Sequence, residues 1–308
     1  MATTTQTIGT LSAENKTFYE RALLKRLVPN LVFAKYGQKK PVPAHEGGTV
    51  SFRRFGALAA ATTALTEGVT PDGSNLSITT VTATPAQYGD FVQISDKLDL
   101  VGIDPVLTET AELLGEAAAL TVDTLVRNVV CAGTNVQYAG GRTSRNAVTA
   151  ADVISAAEVR RAVRTLRSAN AKPIDGGFFI GIVSPGVAAD LMADTLWQDV
   201  SKYNGGEAIL RGEIGKLCGV RFVESTNVPA NANTSNVTVY SCMIIGRDAY
   251  GVVDVEHGAT PHLIVKPFGS GGTTDPLDQR ATAGYKLYMT AVRLQESAMI
   301  RLECAARA

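Results

Sequence analysis

An α+β architecture follows from three features of the sequence. Strand-like and helical segments are interspersed without strict β-α-β alternation, which argues against a doubly wound parallel sheet. The segment Asp104 to Ala132 carries one continuous apolar stripe at helical spacing. The end of the chain, Tyr285 to Cys304, alternates as strands do and has no strand partners nearby in sequence. These last strands are expected to return and pack against the long helix. One domain is then built from the middle and the end of the chain, and the stretch between them forms an insertion.

The elements follow in order. Met1 to Thr10 is polar and Thr-rich, as an arm would be. Leu11 to Tyr36 predicts a short amphipathic helix, capped by Ser12, with Phe18, Ala22, Leu23 and Leu27 on one face. Gly47 to Ser95 reads as a long hairpin with strand-like ends at Thr49 to Phe55 and Leu76 to Thr84. Val50 and Phe52 fall on one side of the first strand. The turn cluster Glu67 to Gly73 lies between the ends. Its apolar content is too thin for a core of its own, so such a hairpin needs support from outside the subunit.

The helix over Asp104 to Ala132 is predicted with Asp104 as N-cap and Pro105 at the first position. Its stripe runs Leu107, Ala111, Leu114, Ala118, Val122, Leu125 and Val129, and it would extend roughly 40 Å. Arg127 near its end suits the macrodipole. A second helix is expected over Thr149 to Asn170, capped at Thr149, with Arg160, Arg164 and Arg167 on one face. Ile154, Ala157, Ala162 and Leu166 lie elsewhere on it. A buried strand follows in FFIGIVS, then a helix from Pro185 to Leu196 and a short helical piece around Ile209 to Ile214. Strands are expected at Val220 to Glu224, Val237 to Ile245, Ala249 to Val255 and His262 to Pro267.

The 308 residues allow one large or two ordinary domains. Formal net charge is zero, which permits association and argues against a dedicated nucleic-acid binder. Charge is unevenly spread. Met1 to His45 holds seven Lys and Arg against two acids, net +5, which leaves the remainder at −5. The four cysteines form no C-x-x-C pair and suit a reduced compartment. The start of the chain lacks a secretory pattern, and no stretch approaches a membrane span.

Chemical vocabulary is sparse. Asp254, Glu256, His257 and His262 form the one cluster resembling a metal site, without a sharp metal motif. Ser184 precedes Pro185-Gly186 but lacks G-x-S-x-G, and helix capping explains it better. Gly212 to Lys216 is too short for a phosphate loop. Gly269 to Gly272 lacks the strand-to-helix setting of an anion cradle and reads as a hinge. No catalytic residue, cofactor or metal is expected. Arg160, Arg164 and Arg167 could touch a phosphate backbone or form a solvated face. Arg53 and Arg54 point to opposite sides of a strand, so one is expected to face a partner carboxylate and the other solvent.

Four segments then carry a resemblance. They are DFVQISDKLDLVGIDPVLTETAELLGEAAALTVD (Asp90 to Asp123), SPGVAADLMADTLWQDVSKYNGGEAILRGEIGKLCGVRFVES (Ser184 to Ser225), DPLDQRATAGYKLY (Asp275 to Tyr288) and a tail ending in MIRLE (Met299 to Glu303). Together with the element order they resemble tailed-bacteriophage major capsid proteins of the Hong Kong 97-type fold, and more narrowly the N4-like major capsid family. GEIGKLCGVRF (Gly212 to Phe222) and DPLDQRATAGYK (Asp275 to Lys286) are the most specific motifs. Tyr285 stands where a tryptophan often follows the last glycine of the second motif, a mild departure.

The resemblance implies an N-terminal arm at 1–46, an extended loop at 47–95, and a peripheral domain at 96–147 and 269–308 that includes the spine helix 104–132. The inserted axial domain would be 148–268. It implies self-assembly as hexamers and pentamers into an icosahedral head shell around double-stranded DNA, in a virion assembled in the host bacterial cytoplasm. Portal and scaffolding or decoration proteins would be partners, and no membrane is involved. The expected inter-subunit contacts are Arg53, Arg54, Glu67 and Asp72. The expected inward basic face is Lys16, Arg21, Lys25, Arg26, Arg160, Arg164 and Arg167. An encapsulin-like compartment shell, a tail-tube part, and a hydrolase or metal enzyme are the alternatives.

Overall fold

The computed structural model describes residues 32–42, 48–70, 72–101, 106–174, 176–197, 213–255, 261–271 and 275–307. The first half contains β1 (Gln38–Val42), β2 (Val50–Phe55), β3 (Ile78–Ala83), β4 (Ala86–Ser95), α1 (Asp96–Val101), α2 (Val106–Cys131) and β5 (Val136–Tyr138). Then come α3 (Ala156–Ser168), β6 (Phe179–Val183), α4 (Pro185–Met192), β7 (Glu213–Leu217), β8 (Val220–Glu224), β9 (Ala230–Ala232) and β10 (Thr238–Ile245). The chain ends with β11 (Tyr250–Val255), β12 (His262–Lys266), β13 (Arg280–Arg293) and β14 (Met299–Ala305).

β13 organises a five-stranded sheet. One edge pairs with β4 over its first ten residues. The other edge pairs first with β12 and then with β11, which in turn carries β1 in parallel. The strand alternates: Ala281, Ala283, Tyr285, Leu287 and Met289 are buried, and α2 lies along this sheet. Thr121 Oγ1 donates to the Ala117 carbonyl at 2.7 Å. The Tyr285 hydroxyl is therefore left to donate to Thr121 Oγ1 across 2.9 Å. The tyrosine that departs from the motif thus ties the sheet to the helix.

The second sheet has seven strands, in the order β5-β14-β10-β6-β8-β7, with β9 also on β10. Every residue of β6 is buried, as the FFIGIVS run predicts. α3 adds Val159, Ala162, Val163 and Leu166 to its core, and α4 adds Val187, Ala188 and Leu191. Ser184 caps α4, its Oγ accepting from Val187 N, so the capping reading holds.

Several expectations change. Ala86–Ser95, expected within the hairpin, is a full partner of β13. The hairpin is shorter, and only β2 and β3 pair within it. α3 starts at Ala156, capped by Ser155, not at Thr149. Thr149 instead donates from N and Oγ1 to Asp152 Oδ2, at 2.7 and 2.8 Å, and Val153 bridges Ala305. That turn is held to the sheet edge, so helix cannot begin there. Ala157 is exposed and Ile154 is buried ahead of the helix. Glu213 and Ile214 lie in a strand, because β7 pairs with β8. On α2 the stripe continues through Val126 and Val130, and Leu125 and Val129 are half-buried. Asp104 and Pro105 lie outside the described residues, as does the predicted helix of the N-terminal arm.

Strands also cross the expected domain boundaries. β11 and β12 fall within 148–268 in sequence, yet they join the sheet of β4 and β13. β14 comes from the end of the chain, yet it lies inside the seven-stranded sheet. It is covered on both faces. Met299 and Glu303, expected on the side opposite Ile300 and Leu302, are buried as well. Glu303 is 0% exposed and is held by Arg145 Nε at 2.9 Å. Arg301 Nε lies 2.9 Å from Glu303 Oε1, but without the alignment of a hydrogen bond.

Candidate assembly interface

The β2–β3 hairpin leaves the body of the chain from a small base. Val50, Phe52, Ala83 and Val253 form a cluster of their own. Phe52 packs on the bare backbone of Gly251, where a Cβ would meet the ring at 2.6 Å. Lys40 adds a bond to the Ser51 carbonyl at 2.7 Å, and its ammonium lies 5.2 Å from the centre of the Phe52 ring. Pairing ends where Gly56 N donates to the Ser77 carbonyl.

Beyond that point burial stops. Residues 57–70 and 72–80 are all exposed. Leu58, Leu65, Val69 and Leu76 are 58, 76, 62 and 66% exposed. Singly exposed apolar residues are ordinary; four on one projecting segment mark an interaction surface. Glu67 and Asp72 sit on this tip, as expected, and it carries no other charge.

A cleft of about 1320 Å³ opens beside the base of the hairpin. Arg53 and Arg54 both border it and both are exposed. The expected split between them, one toward a partner and one toward solvent, is not visible within the subunit. Among the described residues, Lys39, Lys40, Lys172 and Arg247 complete the basic lining, and Asp248 is the one acid there. Sequence reasoning assigned Lys39 and Lys40 to a basic arm and passed over Lys172 and Arg247. No local signal joins them, because they come from three distant parts of the chain.

The face of the five-stranded sheet turned away from α2 is also open. Phe91 and Ile264 lie on either side of Gly284, and Phe91 is 63% exposed. The notch between them exists because Gly284 has no side chain: a Cβ would meet Phe91 Cβ at 2.8 Å. Tyr88 and Lys286 border the same groove.

Arg160, Arg164 and Arg167 do share an exposed face of α3, and with Cys218 they border a shallow groove of about 390 Å³. Burial pushes the Cys218 thiol up, and the Arg160 charge acts against it. Lys16, Arg21, Lys25 and Arg26 lie outside the described residues. The point where the arm enters the body is described, and it hangs on a buried carboxylate that the sequence reading missed. Asp123 Oδ1 accepts from Val32 N and Phe33 N at 3.1 and 2.8 Å. Its Oδ2 accepts from Asn227 Nδ2 at 2.7 Å, and Arg127 Nη1 donates to Asn227 Oδ1 at 2.6 Å. Arg127 therefore braces a loop instead of only facing the end of the helix. The Tyr250 hydroxyl donates to the Phe33 carbonyl, and burial pushes that phenol up.

Among the described residues no three His, Cys, Asp or Glu side chains converge as a metal site. His262 opens β12 and is exposed, whereas Glu256 and His257 lie outside the described residues. Ser184 Oγ accepts from Val187 N within a buried cap. Cys131, Cys242 and Cys304 are buried and free. Burial pushes Cys131 up to about 12 despite Arg301 nearby. Such a thiol is not a nucleophile at neutral pH. No described helix is long and apolar enough to cross a membrane.

Known proteins share this arrangement. The capsid of Ralstonia phage GP4 superposes with a TM-score of 0.72 at 15% identity, covering 90% of this chain and 89% of that one. The cyanophage Pam1 capsid gives 0.67 at 15% identity, covering 91 and 92%. The virus-like particle from Pyrococcus furiosus gives 0.53 at 12% identity, covering 93 and 98%. These likenesses show the fold, which is of the Hong Kong 97 type. No curated protein sequence matches the chain. The sequence profile of the family described as phage capsid protein matches residues 78–302, nearly three quarters of the length. On that match, with a capsid fold around it and an interaction surface projecting from it, the chain belongs to the phage capsid protein family, whose members build the head shell.

Proposed function

We propose that copies of this chain close as hexamers and pentamers into an icosahedral shell around double-stranded DNA, each laying its hairpin over a neighbour. The observation that carries this reading is the exposed tip. Leu58, Leu65, Val69 and Leu76 stay more than half exposed within their own subunit. Full burial of one such side chain is worth about 1.5–3 kcal/mol, so a neighbour's surface supplies what the subunit lacks. Many modest contacts then add through multivalency. Net charge of zero lets many copies approach without strong self-repulsion.

Within the family, GEIGKLCGVRF and DPLDQRATAGYK support the N4-like branch. The arginines of α3 and the basic arm residues Lys16, Arg21, Lys25 and Arg26 support an inward face that meets DNA phosphates without reading sequence. The role is structural and needs no cofactor. Portal and scaffolding or decoration proteins would complete the particle, and assembly would take place in the host cytoplasm.

Negative-stain images of the purified chain test the reading: closed shells are expected, and tubes or monomers would overturn it. A virus-like particle from Pyrococcus furiosus shares the fold, and a compartment shell is the second reading. Particles purified from an infected host separate the two, since a head holds DNA and a compartment holds protein.

A further inference from the structure

We infer that the seat of the hairpin tip is the basic cleft at the base of the next subunit's hairpin, so that one element carries both halves of the contact. This rests on the shell reading above and names the partner surface within it.

Charge is segregated along the hairpin. Residues 56–77 contain two charges, Glu67 and Asp72, both acidic and both exposed. Six cations and one acid among the described residues line the cleft. Among the described residues, Lys39, Arg53, Arg54, Lys172 and Arg247 have no carboxylate partner. Five uncompensated cations around one cleft raise each other's cost, and an acidic insert relieves it. Apolar character matches as well. Leu65 and Val69 flank Glu67 on the tip, while Phe55, 63% exposed, and half-buried Leu294 border the cleft.

Among the described residues, the tip does not reach its own subunit's cleft. None of residues 58–70 or 72–76 borders it. The tip runs about ten residues past the Gly56–Ser77 closure, a reach of up to about 30 Å. That exceeds the radius of gyration of a compact chain of this length, about 19 Å. The tip is therefore long enough to reach a second copy. A tip on one end and a seat on the other make a heterologous contact, which generates rings when the rotation closes.

Charge reversal tests this in the full chain. Glu67→Lys with Asp72→Lys alters only solvent-exposed positions, so the subunit keeps its circular dichroism and melting temperature. It is expected to raise the concentration needed for shell formation about ten-fold or more, as exposed pairs repeated around a ring add up. Arg53→Glu with Arg54→Glu should do the same. Joining all four substitutions in one chain is expected to recover part of the lost assembly, because the tip lysines again meet carboxylates at positions 53 and 54 while Lys39, Lys40, Lys172 and Arg247 still line the cleft. Mixing the two double variants gives a further result. Alternating subunits satisfy every contact in a ring of six but not in a ring of five. The mixture should form six-membered rings, sheets or tubes without closed shells.

Two results would overturn the inference while leaving the shell intact. One is wild-type shell formation by the tip variant. The other is failure of the four-fold variant to recover. If Phe91→Lys abolishes assembly and the tip variant does not, the seat is the open sheet face. If the unaltered chain forms no shells at all, it is the shell reading that falls.

Discussion

Asp123 shows how much one buried side chain holds at the residue scale. It sits on α2 and accepts three hydrogen bonds from two distant segments, the end of the N-terminal arm and the loop at Asn227. Replacing it with alanine strands two backbone N–H groups and an amide in a closed site. Each unsatisfied donor costs about 1–3 kcal/mol, so Asp123→Ala should lower stability by roughly 3 kcal/mol or more. A thermal melt of the unassembled subunit checks this, and an unchanged midpoint would refute it. Asp152 gives a pH test. Burial pushes its carboxyl up, but bonds from Thr149 N, Arg142 and Thr149 Oγ1 outweigh that and hold it below the usual range. Its folded value is thus depressed relative to an unfolded value of about 3.9. The stability it contributes is complete above that unfolded value and is lost as pH falls through the folded one. Asp152→Asn should melt earlier than the parent at pH 7, and the gap should close on acidification toward pH 2.

The hairpin is the element on which assembly turns. Its base is fastened by Phe52 on Gly251 and by Lys40, and among the described residues its tip is exposed throughout. The two parts therefore separate in energy. Deleting Ala57 to Gly73 should leave a folded, soluble subunit with a melting temperature within a few degrees of the parent. Sedimentation should show that it forms no shells, and shells of normal size would end the bracing role. β4 makes the opposite point. It continues directly from the hairpin in sequence, yet its ten residues pair with β13, so it belongs to the rigid sheet. A deletion that reached Ala86 would open that sheet and unfold the subunit.

For the whole molecule, the two sheets and the long helix share one core. The cysteines are free, and three of them are buried. Chelators and reductants should therefore leave assembled shells unchanged in electron micrographs. Disassembly by a chelator would mean that a bound ion holds the particle, and disassembly by a reductant would mean a disulfide between subunits.

Much of this was legible in the chain itself. The stripe from Ala111 to Val122, the FFIGIVS strand, the Ser184 cap and the thin apolar content of the hairpin are local patterns, and local patterns follow from backbone geometry alone. The family motifs added the fold and the shell. Register and strand partnership were not legible, because pairing joins residues that nothing in the local sequence connects. Placing β4 on β13, or β14 between β5 and β10, required the folded chain. So did the cleft. Lys39, Arg53, Lys172 and Arg247 are scattered over two hundred positions, and only folding brings their like charges around one opening. The sequence by itself determined that this protein leaves apolar surface for a partner to cover. Tertiary structure alone decided where the countercharge for that surface lies.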